Sequence, residues 1–175
     1  MIRVATIALA VTLSPTLAAA QAAPLALDSF RSICQANLDQ PETSARFAAD
    51  GWTLAPDSLS DAFTQDIVDP DAEALFVRDV GAGKVLAATM SEKRGLLGTR
   101  TRSVCFIRVF VETPDQMRAD FRSRMGAAPD TATDSDEVRA DSWSSLLAGQ
   151  VIGLRAVKLP EGYWMVTAYR VLTNA

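Results

Sequence analysis

Histidine is absent from the 175 residues. That removes Ser-His-Asp and Cys-His catalysis and the commonest transition-metal ligand together. With two cysteines and no histidine, a zinc site would need carboxylates to complete four ligands. No GxSxG nucleophile elbow occurs. Gly81-Ala82-Gly83-Lys84 imitates the end of a phosphate loop but lacks the rest of the spacing and reads as a hairpin turn. The acids from Asp57 to Glu73 surround a proline and lack the central glycine of a calcium loop, so they read as a solvated loop. Cofactors are expected to be none. No internal repeat is evident, and no apolar run reaches the roughly 20 residues of a membrane span.

What is present starts with the first 24 residues, MIRVATIALAVTLSPTLAAAQAAP. One cation at Arg3, an apolar run from Val4 to Leu13, a Ser14-Pro15 breaker and small residues make the three-part layout of a secretory signal. Cleavage is expected after Ala20, with a rival small-x-small site ending at Ala22. The organisation read from the sequence is therefore a signal peptide over 1–20, a short leader over 21–28 and a single domain over 29–175, exported to the periplasm or outside the cell. Arginine outnumbers lysine, a habit of GC-rich bacterial genomes. Net charge is −4, and loss of Arg3 with no acid takes it to −5. That balance argues against nucleic acid as a partner.

Two cysteines in an exported chain are expected to pair. Phe30, Ile33, Cys34 and Leu38 share one helical face; Cys105, Ile107, Val109 and Val111 share one strand face. Without CxxC spacing, the pair reads as a structural staple.

Helices are expected from Asp28 or Ser29 to Asn37, and from Pro41 to a C-terminal Gly51, with a third turn near Ser58 and Asp61. ALFVRDV and KVLAATMSEK form a hairpin, KRGLLGTR reverses the chain, and TRSVCFIRVFVE is the next strand. A helix capped by Thr113, with Pro114 at its first position and Gln116 closing a capping box, runs to Gly126. Residues 127–141 read as a polar, acidic loop. GQVIGLRAVKL and YWMVTAYRVLT close the chain as a hairpin about Pro160-Glu161-Gly162. The sum is an α+β fold: an antiparallel sheet of about five to six strands with helices packed on one face, a two-layer sandwich. The element order loosely resembles profilin-like or PAS-like domains, and element order alone transfers no function.

The contact surface expected first is the hairpin Lys93, Arg94, Leu96, Leu97, Arg100 and Arg102, which sets two leucines between cations. The leucines either pack inward or bury in a partner, taken as a protein or a small anionic ligand. Two rivals stand beside this non-enzymatic binding domain. One is a carboxylate-dependent hydrolase with an acid of raised pKa in a cleft; the other is a small-ligand sensor with a pocket at Trp143, Tyr163 and Trp164.

Overall fold

A computed structural model describes residues 15–36, 40–55, 72–80, 83–94, 100–145 and 149–174. Among the described residues three α-helices, α1 (Pro15–Ser29), α2 (Gln40–Ala49) and α3 (Asp115–Met125), accompany eight strands. The strands are β1 (Thr53–Leu54), β2 (Ala72–Val80), β3 (Gly83–Arg94), β4 (Arg100–Val111), β5 (Thr131–Asp134), β6 (Val138–Ser145), β7 (Gln150–Lys158) and β8 (Trp164–Asn174). All pair antiparallel in one sheet of order β1-β2-β3-β4-β8-β7-β6-β5.

That order holds a repeat invisible in the residues. One helix followed by a four-strand meander occurs twice, as α2-β1-β2-β3-β4 and α3-β5-β6-β7-β8, and the last strand of each meander meets the other at the centre. The two helices start 75 residues apart, at Gln40 and Asp115, and the glycines that end them, Gly51 and Gly126, are also 75 apart. Both glycines hold positive φ, 81° and 69°, as the left-handed turn after a helix requires.

The sheet has eight strands rather than five to six because Thr53–Leu54 adds β1 and because 127–141 is not a loop. β5 and the first half of β6 lie there. β6 escapes an alternation test because the side chains it sends to the core are Arg139, Asp141 and Trp143 rather than aliphatics; they stand opposite Ala156, Leu154 and Ile152 of β7. At the other end, the expected cap at Asp28 or Ser29 is not a helix start. Ser29 is itself helical, with φ −65°, ψ −38° and no side-chain capping bond. The 21–28 leader is thus part of α1, where Ala22, Ala26 and Leu27 are buried. Helix α3 begins at Asp115; Thr113 Oγ1 accepts the Asp115 N–H at 3.4 Å, while Gln116 donates forward to Asp120 instead of closing a capping box.

Residues of β3, β4, β8 and β7 that alternate toward one face line up across the sheet: Ala87, Ile107, Ala168 and Leu154 in one row, Val85, Val109, Val166 and Ala156 in the next. They form one buried cluster with Ala26, Leu27 and Phe30, with Phe47 of α2, and with Met117 and Phe121 of α3. Between α1 and α2 the chain makes a π-turn, Phe30–Cys34, closed by Gln35 N–H to Phe30 C=O at 3.0 Å. This wider turn keeps Phe30, Ile33 and Cys34 all buried. Cys34 bonds to Cys105 of β4, so the expected staple is present and both sulfurs are in the core. The opposite face has a smaller buried cluster, Val77, Leu86 and Phe106, with Ala55, Leu75, Val104 and Tyr169 against it.

Candidate functional site

The arms of the predicted contact hairpin are strands β3 and β4. Leu96 and Leu97 lie outside the described residues, as do the acids from Asp57 to Asp71 and the turn expected at Ser58 and Asp61. The register of the arms is informative by itself. Arg94 stands directly opposite Arg100, Lys93 opposite Thr101 and Glu92 opposite Arg102. The paired positions 92, 94, 100 and 102 carry three arginines and one glutamate. Like charges facing each other across a strand pair destabilise it unless a counter-charge intervenes.

The aromatic trio does not form one site. Trp143 packs on Phe121 at 5.5 Å between ring centres and donates its indole N–H to the Ala127 carbonyl at 3.0 Å. Trp164 is buried beneath the Arg139 guanidinium, 5.1 Å from its ring centre, and Tyr163 is exposed. Trp143 pairs with Ile152 and Trp164 with Lys158, so six residues of β7 separate them, roughly 20 Å of strand. An open groove of about 530 Å3 lies elsewhere, lined by Ser32, Ile33, Ala45, Arg46, Ala49 and Asp50. Its acid is engaged: the Asp50 carboxylate accepts from Trp52 Nε1 and Arg78, both at 3.3 Å.

Among the described residues the densest polar cluster is one that sequence reasoning missed. Asp141 is 1 % exposed and accepts from two guanidinium groups. Arg118 reaches it through Nε at 2.8 Å and its terminal nitrogen at 2.9 Å; Arg122 does so at 2.8 and 2.6 Å. Burial pushes the Asp141 carboxyl up, but the hydrogen bonds from Arg118 and Arg122 outweigh it and hold the group at about 2. Arg118 also bonds Asp134 at 2.9 Å, and Arg139 pairs with Asp115 and Asp134. The signal available in the sequence was Arg118 and Arg122, four apart on one helical face, followed by an acid at an inward position of the next long strand. This carboxylate is saturated with donors, so its chemistry is anchoring helix to sheet.

Among the described residues no group of three or more acids and cysteines is placed to hold a metal ion. No described helix is long and apolar enough to cross a membrane. The comparisons are empty. No family model, no curated protein and no solved structure matches the chain.

Proposed function

We propose that this chain is an exported, non-enzymatic binding module. Its two-layer α+β domain is held by Cys34–Cys105, and it contacts an anionic protein or small anion through the basic hairpin 93–102. The observation that carries the reading is the backbone register of Arg94 against Arg100, with Arg102 paired to Glu92 two positions along. An arrangement that costs stability in isolation is offset when an anionic group sits between the cations. Leu96 and Leu97 supply the apolar part of the contact.

Two features support export. A disulfide persists in oxidising compartments, and this one is buried. Pro24 falls inside α1, where it has no N–H to give the carbonyl four residues earlier, that of Ala20. Cleavage after Ala20 removes that acceptor and leaves Pro24 in the first turn of a helix starting at Gln21, a position whose N–H needs no helical partner. The rival cut after Ala22 would discard a buried residue.

For the hydrolase reading, the buried described carboxylate, Asp141, is shifted down, opposite to a proton donor at neutral pH. The proposal is tested by changing Leu96 and Leu97 to serine and, separately, Arg94 and Arg100 to glutamine. The serine variant is expected to keep its melting temperature and lose capture of the partner. The glutamine variant is expected to lose the extra thermal stability that sulfate confers over chloride at equal ionic strength. A fall of several degrees in the serine variant would put the leucines in the core, and a sulfate effect that survives the glutamines would remove the anion site.

A further inference from the structure

Buried side chains in α1 fix how little of the N-terminal segment the domain can lose. Ala22 is 3 % exposed and joins Ala26, Leu27 and Phe30 in the main core. A chain cut after Ala22 gives up the first of these. One cut after Ala20 keeps them all and leaves a single residue, Gln21, ahead of the core. From there the sequence runs Gln-Ala-Ala-Pro-Leu-Ala-Leu and meets its first charged residue at Asp28. Seven helical residues put that acid about 10 Å along the axis, and its carboxylate is already paired with Arg124 at 2.6 Å. An α-ammonium on Gln21 thus stands at the positive pole of the helix with no acid in its first turn to balance it.

We infer that Gln21 is a modification site at which the exported chain closes its own N-terminus as a pyroglutamyl lactam, a step that rests on cleavage after Ala20. The unprotonated α-amine of Gln21 attacks Cδ of the carboxamide on the same residue. The N–Cδ bond forms, the Cδ–Nε2 bond breaks, and the proton shed by the amine leaves with Nε2 as ammonia. No electrons change hands and no co-reactant is consumed. Nucleophile and electrophile belong to one residue and close a five-membered ring, so the encounter is intramolecular. An α-amine titrates near 8, which leaves a usable share unprotonated at neutral pH, and the helix pole disfavours the unreactive ammonium. Glutamine is what permits the closure. Its neighbours Ala20, Ala22 and Ala23 carry no carboxamide, so a cut at any adjacent bond leaves an open amine. The lactam removes the terminal charge, as acetylation does. It also denies an aminopeptidase its free amine, one residue ahead of the buried Ala22.

The test is intact-mass spectrometry of the oxidised chain after a bacterial host exports it from the full precursor, with N-terminal sequencing of the denatured product. The expected mass is that of the chain from Gln21 with its disulfide, less about 17 Da for ammonia. Sequencing is expected to stall until pyroglutamyl aminopeptidase exposes Ala22. Gln21→Ser, which has no carboxamide, should show its full mass and an open terminus. If that variant is cut elsewhere, release of the lactam from the parent by the aminopeptidase decides alone. A chain that starts at Gln21 and keeps its full mass after standing at neutral pH and growth temperature overturns the inference and leaves the cleavage reading intact. One that starts at Met1 or Ala23 overturns both. A loss of ammonia that persists in Gln21→Ser also overturns the inference, because it places the loss at another amide.

Discussion

In the N-terminal half, Cys34 is bonded to Cys105 and Phe47 of α2 stacks on Phe76 of β2, 5.1 Å between ring centres. In the C-terminal half, Phe121 of α3 meets Trp143 of β6 in the corresponding place at 5.5 Å, but the nearby fastening is Asp141 between Arg118 and Arg122. The same order of elements is thus secured once by a covalent bond and once by buried charge. A covalent link acts largely by shortening the unfolded chain and does not depend on pH. A buried ion pair depends on both partners remaining charged, and loses most when one is deleted. The halves differ in the length of their first connection too. β1 and β2 are joined by the 17 residues from 55 to 71, β5 and β6 by only 135–137.

Removing the covalent fastening should have the largest effect. Cys34 and Cys105 are 71 residues apart, and a loop of that size corresponds to about 4 kcal/mol in the chain-entropy estimate. Urea unfolding of the Cys34→Ser, Cys105→Ser double variant against the oxidised parent measures it. A loss below about 1 kcal/mol would show that core packing, not the link, sets the stability of this half.

Asp141→Asn should come next, at about 3 kcal/mol, since it strands the buried Arg118 without its counter-charge. Combined with the cysteine variant, the losses should add to within about 0.5 kcal/mol if the fastenings act independently. A coupling several times larger would mean that the halves unfold as a single unit whose two fastenings share one strain, and the comparison would dissolve.

The smallest effect is a titration. The Asp141 pKa is lowered from 3.8 to about 2, so its contribution is complete above the unfolded-state value near 4 and is lost as pH falls through 2. A shift of that size is worth about 2 kcal/mol. Asp141→Asn should flatten this part of the stability curve between pH 4 and pH 2, measured by urea midpoints, whereas the cysteine variant should keep it. An unchanged slope in Asp141→Asn would mean that other carboxylates govern acid unfolding.

How legible the molecule was follows the same division. The long hairpins announce themselves because β3, β4, β7 and β8 alternate apolar residues with punctuation between them. Gly162, at φ 91°, sits in the turn that Pro160-Glu161-Gly162 marked. Cys34 and Cys105 could be paired in advance because each lay on an apolar face of a recognisable element. The strands β5 and β6 could not be seen, since VRADSWSS carries an arginine and an aspartate where a core strand usually carries aliphatics. Those charges become acceptable inside only when α3 delivers the Arg118 and Arg122 guanidinium groups to Asp141 and the Asp115 carboxylate to Arg139, and that requires the helix already placed. The hairpin proposed for contact was marked by its charges, but only the strand register set Arg94 against Arg100. Trp143 and Trp164 looked like partners because they are close in sequence order, and one strand of β7 keeps them apart.

The residues alone therefore determined the identity of the cross-link and the four long strands, because each depends on neighbours a few positions apart or on a pair with no competitor. Tertiary structure decided the doubled meander, the burial of Asp141 and which aromatic and cationic side chains share a face. Those properties arise from pairings across the sheet, where a charge is costly or stabilising according to what a distant segment brings beside it.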